Sequence, residues 1–383
     1  MKTIQDIFVG FEEEYGQKYN MSKEQQKVFR HIKICRTEES GYHKIVCESC
    51  GYEKITYNSC KDRHCPVCQN FKKEQWINDR KSEVLGSKYF HVVLTLPKEL
   101  GNIAIQNKKM IYSNMFKAAG ETIKKLCENK KYMGAVPAIT IVLHTWGQNL
   151  EFHPHIHMII SAGGLTKDNK WIKSSEKFFV PVKILSKVFR GKFLSYLKEN
   201  YKDELLKFYG QAEEYKNNTK FRILINKLYS MNWYSYVKKP FGNADAIIEY
   251  LGRYTHKIAI TNNRIVKVED GKVFFKYKDY KDNSKIKVMS LEAVEFIRRF
   301  LMHVLPTKFV KIRYYGICAN RNKKTKLKLS QKLTNILNNP LYVKLTKEEL
   351  LKKITNGMAF LCHVCNKETL KLKEINKIMS YKT

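Results

Sequence analysis

Two histidines in one apolar segment have a spacing that suits metal-assisted chemistry on a phosphate. Residues two apart on a strand face the same side, so in the stretch 153–160 the side chains of His155 and His157 project together. Two adjacent imidazoles make half of an open metal site. His144 ends the preceding apolar strand and falls opposite them if the two strands pair as a hairpin. Three such ligands would leave positions free for a substrate phosphate and water.

Other residues near this pair compete for the same role. His153 shares their strand parity, but Pro154 bends the chain, so we treat His153 as an outer residue. Gln148 and Asn149 are alternatives to His144 as the third ligand. A structural or accidental histidine pair without a metal is the remaining interpretation.

Two tyrosines supply candidate nucleophiles. Tyr250 and Tyr254 are four residues apart, so they are neighbours on one face of the helix predicted over 244–257. A phenol with a pKa of about 10 attacks poorly unless a metal and cations stabilise the transition state. Arg253 and Lys257 are our candidates for that phosphate-binding role. The alternative is that both tyrosines belong to the buried stripe of an ordinary helix.

Six of the ten cysteines lie between residues 35 and 72. Two Cys-x2-Cys pairs in this segment are separated by fourteen residues. Each pair can present two thiolates to one tetrahedral Zn²⁺ ion. The spacing therefore predicts a structural zinc site with four ligands: Cys47, Cys50, Cys65 and Cys68.

The same segment contains candidates for a second zinc site. They are Cys35, His43, Cys60 and His64. The spacing leaves open whether these four bind a second ion or whether one or two of them replace a ligand of the first site. In either case the module would hold a local fold and present basic residues such as Lys61 and Arg63 to DNA.

A further Cys-x2-Cys pair, Cys362 and Cys365, lies near the end of the chain. It supplies only two ligands, and it is followed by Asn-Lys and not by a glycine-rich knuckle. Cys318 and His303 are possible partners, so a complete metal site there stays open. Cys127 is expected to be a small buried apolar residue.

The elements that must position these groups alternate between helices and short strands. We predict an α+β protein, in which a central antiparallel sheet is flanked by helices. The expected divisions are a helical and zinc-ribbon-like domain over 1–80, a catalytic domain with a helical insertion over 85–265, and a basic C-terminal DNA-binding region over 266–383. Predicted helices cover 4–34, 72–86, 101–131, most of 180–235, 244–257, 291–303 and a basic tail; predicted strands cover 89–97, 138–144, 155–161 and hairpins within 264–289.

The charge balance indicates a polyanionic partner. The chain has 383 residues with 71 Lys and Arg against 36 Asp and Glu, a formal net charge of +35, while 43% of its residues are hydrophobic. A folded protein with this excess usually binds DNA or RNA, although a lysine-rich proteome gives the same balance. The N-terminus has no signal-peptide pattern, and the longest apolar run, 135–143, is too short for a bilayer. We therefore expect a cytoplasmic protein without a membrane partner.

Four stretches of the chain occur together in an order typical of one enzyme family. They are the cysteine cluster with Tyr57–Cys60 and Arg63–Gln69, the segment His91–Pro97, the segments His144–Gln148 and His153–His157, and the segment Tyr250–Lys257. Their combination resembles the two-tyrosine rolling-circle transposases of the insertion-sequence-ninety-one family, within the HUH endonuclease superfamily. The resemblance covers most of the chain and implies an HUH-endonuclease fold.

The resemblance also implies a reaction on single-stranded DNA at transposon ends and at a target. His155, His157 and His144 would hold Mg²⁺ or Mn²⁺, and the spacing of His144 resembles the three-histidine arrangement of conjugative relaxases. Tyr250 or Tyr254 would attack the scissile phosphate, which forms a 5′-phosphotyrosine and frees a 3′-hydroxyl. The second tyrosine would hold another 5′ end. One or two structural zinc ions complete the implied cofactors.

Two other classes of protein fit parts of the sequence. A non-catalytic zinc-containing DNA-binding protein fits the composition, but it has no need of paired tyrosines beside an open histidine site. A replication initiator or relaxase of the HUH type would use the same covalent chemistry. The sequence contains no G-x4-G-K-[ST] motif for a fused helicase and no His-Glu-x2-His motif for a metal hydrolase. Monomer and dimer both stay open.

Overall fold

The computed structural model describes residues 3–175, 180–241, 250, 252, 255–256, 258–337 and 344–376. Its helices are α1 Ile4–Gly10, α2 Glu12–Lys18, α3 Lys23–Lys33, α4 Cys68–Lys81, α5 Gly101–Gln106, α6 Lys108–Glu128, α7 Val182–Lys202, α8 Asn218–Ser230, α9 Ala293–Met302, α10 Lys328–Leu333 and α11 Lys347–Thr355. Its strands are β1 Tyr42–Cys47, β2 Glu53–Tyr57, β3 Tyr89–Thr95, β4 Val136–Trp146, β5 Phe152–Leu165, β6 Trp171–Lys173, β7 Ser235–Phe241, β8 Ile265–Glu269, β9 Lys272–Asp279, β10 Lys285–Glu292, β11 Ile312–Gly316 and β12 Leu370–Asn376. Tyr250, Gly252 and Thr255 are also helical, and we call this segment the tyrosine helix.

The central sheet has the strand order β11-β4-β5-β3-β7, with β6 paired to the far end of β5. Every pairing in it is antiparallel. Alternate residues of β5, such as Ile156 and Met158, are fully buried and belong to the core that includes α6 and α7. The predicted fold class, α+β with a central antiparallel sheet flanked by helices, is confirmed.

The opposite face of the central sheet is covered by α4 and by the tyrosine helix. Ile159 of β5 belongs to a second core with Ile77 of α4, and Tyr250 packs against that core. Since side chains alternate along a strand, the residues of β5 on this face include His155 and His157. The sheet therefore presents its histidines toward the tyrosine helix.

A three-stranded sheet in the order β10-β9-β8 packs with α9 against the N-terminal helices. Phe275 of β9 meets Phe296 of α9 edge to face, with ring centroids 5.7 Å apart. Phe300 of α9 meets Phe8 of α1 in the same way at 5.3 Å. The segments before and after the central sheet thus share one core.

A third sheet has the order β12-β1-β2 and joins the two ends of the chain. Strand β12 is antiparallel to β1, with Tyr42 opposite Asn376 and Cys47 opposite Leu370. The division at 80, 85 and 265 stays a prediction about domains, but two sheets combine strands from both sides of it.

The strands β11 and β12 lie where the sequence predicts a basic helical tail, so that part of the prediction was wrong. Strand β7 was not predicted either, and it adds an edge to the central sheet beside β3. β7 and β11 are short edge strands with little alternation, so tertiary pairing decides their conformation. β12 alternates apolar residues with lysine, and this strand pattern was missed. Among the described helices, none is both long and apolar enough to cross a bilayer.

Candidate active site

Three imidazoles converge at the middle of the central sheet. His144 on β4 is the direct cross-strand partner of His155 on β5, and His157 lies on the same face two residues further. One ring nitrogen from each histidine lies within 4.8 Å of the others. The rings of His144 and His157 have centroids only 4.6 Å apart. The structure therefore brings together all three residues that the sequence predicts as metal ligands, and we call them the histidine trio.

A hydrogen bond orients His155, and a ring contact orients His144. Nδ1 of His155 lies 2.7 Å from the carbonyl oxygen of His153. A carbonyl only accepts, so Nδ1 of His155 carries the proton and Nε2 keeps a lone pair for a metal. This is the usual arrangement of an imidazole ligand, in which the second nitrogen is fixed by a protein group. His144 is buried, with 2% of its surface exposed, and stacks on Trp146 at 4.7 Å.

A fourth histidine, His91 on β3, contacts the trio. Its Nε2 lies 2.9 Å from Nδ1 of His157, and the two rings stack at 5.1 Å. Burial, together with the nearby charge of Lys238, lowers the pKa of His91 to about 4, so the ring is neutral at pH 7. His91 was not predicted to have an individual role from the sequence. The feature that could have indicated its role is a histidine within a strand that is otherwise almost entirely apolar, and the structure leaves only 4% of this residue exposed.

The phenol of Tyr250 reaches the same histidine. Its oxygen lies 2.9 Å from Nδ1 of His91, and the two rings meet edge to face at 5.3 Å. The ammonium of Lys238 on β7 is 5.9 Å from the centre of the Tyr250 ring. His91 thus bridges Tyr250 and His157, and it connects the candidate nucleophile to the candidate metal site.

The tyrosine helix is packed tightly against α4. A Cβ placed on Gly252 would lie 2.4 Å from Cδ1 and 2.7 Å from Cγ1 of Ile77, so a larger residue would require the Ile77 side chain to move. His256 is half-buried beside Trp76 of α4, and desolvation, with the charge of Lys311 and other lysines, lowers its pKa to about 4. The predicted residues Tyr254, Arg253 and Lys257 lie outside the described residues.

The alternatives for the third ligand lie in the loop between β4 and β5. Nε2 of Gln148 is 3.3 Å from the hydroxyl of Tyr280. Oδ1 of Asn149 accepts a 3.3 Å hydrogen bond from the backbone of Glu151. His144, by contrast, has a ring nitrogen within 4.8 Å of those of His155 and His157.

The cysteines form two groups of four, and neither is the predicted quartet. One group is Cys35, Cys60, Cys65 and Cys68; the other is Cys47, Cys50, Cys362 and Cys365. In the first group, Sγ of Cys68 is 3.6 Å from Sγ of both Cys35 and Cys60. The predicted ligands lie in different places in the fold. Cys47 ends strand β1, which pairs with β12, whereas Cys68 begins helix α4.

The two histidines proposed as zinc ligands have other partners. Nδ1 of His43 is 3.1 Å from Oδ1 of Asn58. His64 pairs with the carboxylate of Asp62 at 3.0 Å, and its Nε2 accepts a hydrogen bond from the backbone N–H of Leu305. Neither histidine belongs to a cysteine group.

Arg63 points into the protein and not toward solvent. Its guanidinium donates to the carbonyl oxygens of Phe309 at 2.5 Å, Pro306 at 2.8 Å and Leu305 at 3.3 Å. The expectation that Arg63 faces DNA was therefore wrong. Its planar fork of donors fits the carbonyl groups of this turn. Lys61 is exposed, as expected.

Comparisons with known proteins agree with these features. Residues 7–96 match the family model Zn_Tnp_IS91, a transposase zinc-binding domain, and residues 138–326 match Y2_Tnp, described as "Putative transposase". The chain is 42% identical over 326 residues to "Putative transposase y4qJ" of Sinorhizobium fredii, which covers 85% of this chain and 82% of that protein. It is 26% identical over 293 residues to the transposase for insertion sequence element IS801 of Pseudomonas savastanoi pv. phaseolicola, which covers 75% of this chain and 68% of that protein.

One solved structure also aligns with the chain. It is the conjugative relaxase TrwC in complex with oriT DNA, in a metal-bound form. The alignment covers 68% of this chain and 97% of the relaxase, at 12% identity and a TM-score of 0.25. A score of that size is too low to bear on this chain.

Proposed function

The chain belongs to the IS91 family of transposases with an N-terminal zinc-binding domain, and we propose that it cuts and rejoins single DNA strands at transposon ends through 5′-phosphotyrosine linkages. The family membership confirms the resemblance found in the sequence motifs. A transposase of this family binds DNA, in agreement with the net charge of +35.

The observation that carries the proposal is the continuous line of contacts from Tyr250 through His91 to His157. A tyrosine in a purely structural role has no need of a buried histidine that also contacts a potential metal ligand. The trio fits a divalent cation, since its ligand nitrogens lie within 4.8 Å of one another and the proton of His155 is on the nitrogen away from the site. Mg²⁺ or Mn²⁺ held there would polarise and orient the scissile phosphate.

Metal binding by the trio would also determine which ring nitrogens of His157 and His91 carry protons. If Nε2 of His157 is a ligand, Nδ1 carries the proton and donates to Nε2 of His91. Neutral His91 then carries its own proton on Nδ1 and donates it in a hydrogen bond to the oxygen of Tyr250. A donor at this position stabilises the phenolate and aims a lone pair of the oxygen away from His91.

The proposed reaction exchanges one phosphate ester for another. The Tyr250 oxygen forms a bond to phosphorus after its proton passes to solvent, and the bond from phosphorus to the 3′-oxygen breaks. The 3′-oxygen takes up a proton and becomes a hydroxyl, while the 5′ end stays on tyrosine. The ester energy is conserved, so the reverse attack by a 3′-hydroxyl reseals a strand without ATP. Tyr254 would hold a second 5′ end in the same way.

The test is a covalent-trapping assay. Purified protein is incubated with labelled single-stranded oligonucleotides from the DNA that flanks its gene, with Mn²⁺ or with EDTA, and resolved in SDS. Tyr250→Phe, Tyr254→Phe and the double variant are compared with Tyr234→Phe, which changes an exposed tyrosine just before β7. We expect a metal-dependent adduct that Tyr234→Phe keeps and the double variant loses, while the single variants order the two tyrosines.

The opposite result has a definite meaning. If the oligonucleotides bind but give no adduct with any divalent metal, the covalent mechanism is wrong. The chain would then act as a zinc-containing DNA-binding protein without strand cleavage of its own. If the adduct forms on duplex DNA and not on single strands, the substrate class is wrong while the nucleophile is retained.

A further inference from the structure

Four cysteines from opposite ends of the chain meet beside the third sheet. We propose that they form a structural zinc site in addition to one held by Cys35, Cys60, Cys65 and Cys68, which all lie in the matched zinc-binding domain, and that it fastens the C-terminal segment 344–376 to the N-terminal domain. The ligands of this site, called the clasp below, are Cys47, Cys50, Cys362 and Cys365. The clasp is separate from the group formed by Cys35, Cys60, Cys65 and Cys68, and Cys362 and Cys365 lie outside both matched family segments.

The sulfur positions fit one tetrahedral ion. Sγ of Cys47 is 3.6 Å from Sγ of Cys365, and Sγ of Cys50 is 3.7 Å from Sγ of Cys362. With Zn–S bonds of about 2.3 Å, the edges of a regular tetrahedron of sulfurs are about 3.8 Å long. A disulfide would need a separation of about 2.05 Å, so the two close pairs are not cross-links. Four thiolates in this arrangement select zinc or a single iron over harder cations.

The two halves of the clasp have the same backbone turn. The N–H of Gly51 donates to the carbonyl of Cys47 at 2.9 Å, and the N–H of Asn366 donates to the carbonyl of Cys362 at 2.8 Å. Gly51 has φ +73° and Asn366 has φ +56°, so both residues are left-handed. Asparagine is one of the few residues that tolerate this conformation. The Asn-Lys that follows Cys365 therefore forms a knuckle after all, which removes the sequence argument against a metal at this pair.

A second layer of contacts supports the thiolates. The hydroxyl of Thr369 lies 3.1 Å from Sγ of Cys47, and the backbone N–H of Glu48 donates to the carbonyl of Thr369 at 3.0 Å. The rings of Tyr52 and His363 meet edge to face at 4.6 Å across the two knuckles. Outer groups of this kind orient metal ligands and raise affinity.

Among the described residues, the third sheet has no buried apolar core of its own to hold it without a metal. Residues of β2 are mostly exposed, and those of β12 up to residue 375 are exposed or half-buried. A small sheet of this kind is marginally stable in water. Metal binding supplies folding free energy directly in such modules. Zinc in the clasp therefore reinforces the pairing of β12 with β1, which the backbone ladder and the ion pair of Lys371 with Glu48 at 2.9 Å also support.

The segment that the clasp fastens also contacts the helix beneath the candidate active site. The side-chain amide of Asn78 on α4 exchanges two hydrogen bonds with the backbone of Leu345, at 2.8 and 2.9 Å. Asp79 forms an ion pair with Lys344 at 2.6 Å. The neighbouring Ile77 contacts Gly252 of the tyrosine helix. The clasp thus anchors the far end of a segment that lies against the helix supporting Tyr250.

Metal content tests the clasp without any assay of DNA cleavage, so its failure is distinct from failure of the proposed function. Zinc and iron per chain are measured by plasma emission in the wild type, in Cys362→Ala/Cys365→Ala, and in Cys127→Ala. The last is a matched control, because Cys127 is fully buried in the main core away from both cysteine groups. We expect two zinc ions per chain in the wild type and in Cys127→Ala, and one in Cys362→Ala/Cys365→Ala.

Several results would overturn the proposal. They are one zinc ion in the wild type, iron in place of the second zinc, or two zinc ions retained by the double variant. If the double variant does not fold, as judged by circular dichroism, the wild-type count alone decides between one site and two.

Limited proteolysis tests the fastening itself. In the folded double variant, tryptic cleavage within 344–376 should accelerate by about tenfold or more relative to the wild type, because local opening no longer has to release a bound ion. Cys127→Ala should keep the wild-type rate at these sites. An unchanged rate in a double variant that has lost one zinc ion would show that the ion does not hold the segment.

Discussion

The phenol oxygen of Tyr250 and the ring of His91 are joined by a 2.9 Å hydrogen bond, although the two residues are 159 positions apart in the sequence. His91 uses its other nitrogen for His157, which belongs to the histidine trio. One neutral imidazole therefore couples the position of the nucleophile to the tautomer of a metal ligand.

Removing the His91 ring should impair both ends of this line. We expect His91→Ala to lower the rate of adduct formation and the affinity for Mn²⁺, each by about 10- to 100-fold, as is usual for groups that orient a metal ligand. His91→Gln, which keeps a donor near Tyr250, should recover part of the adduct rate. Mn²⁺ affinity is read by electron paramagnetic resonance and the rate by single-turnover trapping. An unchanged adduct rate would leave His91 with a packing role only.

Substitutions in the trio should weaken metal binding strongly, and the neighbouring His153 provides a control. His155→Ala and His157→Ala each remove one of three ligands, so Mn²⁺ affinity should fall by about 100-fold or more. His144→Ala should do the same. His153→Ala should bind Mn²⁺ normally, because His153 contributes its backbone carbonyl, and not its ring, to the hydrogen bond with His155. If His144→Ala resembles His153→Ala in a titration, the third ligand is another group.

Substitutions at Gly252 and Ile77 should compensate for each other, because the two residues are in contact. Gly252→Ala places a methyl 2.4 Å from Cδ1 of Ile77, an overpacking that costs about 1–3 kcal/mol and displaces the tyrosine helix. Trapping rate and urea denaturation should both show the defect. Ile77→Ala introduced on top of it should restore part of the trapping rate, since it removes the atoms in conflict.

A matched glycine distinguishes this effect from a general response to alanine. Nothing lies within 4 Å of a Cβ built on Gly191, which is inside helix α7. Gly191→Ala should therefore stabilise the protein by about 0.5–1 kcal/mol through helix propensity and leave trapping unchanged. If Gly252→Ala is as harmless as Gly191→Ala, the packing of the tyrosine helix on α4 does not matter for the reaction.

The sequence was informative where the functional groups are close along the chain. Strands β4 and β5 are joined by a short loop, so strand parity and a hairpin were enough to place His144 opposite His155. The same reasoning did not reach His91, because its contact with Tyr250 depends on how β3 and a distant helix pack. The local pattern of apolar residues predicts helices and strands but not contacts between distant elements.

The cysteines show the same limit more sharply. All three Cys-x2-Cys pairs have identical spacing, so the spacing does not state which pairs share an ion. Cys50 and Cys362 are 312 residues apart, and they meet because β12 pairs with β1. The alternation of apolar residues with lysine in β12 is itself a strand pattern, so the helical tail was a wrong interpretation of it. The local pattern does not identify the partner strand, because β1 lies at the other end of the chain. The predicted quartet combined the two Cys-x2-Cys pairs that are closest along the chain, and these two pairs are not together in space.

Because Arg63 points into the protein and Lys61 is exposed, we expect Arg63 to contribute to stability and Lys61 to DNA binding. Arg63→Lys keeps the charge but replaces a fork of donors to three backbone carbonyls by one ammonium, so unfolding should become easier by about 1–3 kcal/mol in urea. Lys61→Gln removes an exposed charge and should leave that free energy within about 0.5 kcal/mol of the wild type. In DNA binding the order reverses: Lys61→Gln should reduce the salt dependence of affinity by about one unit of slope, and Arg63→Lys should not change it. Fluorescence anisotropy with a labelled single strand across a salt series measures this, and a reduced slope in a folded Arg63→Lys protein would place its guanidinium on the DNA after all.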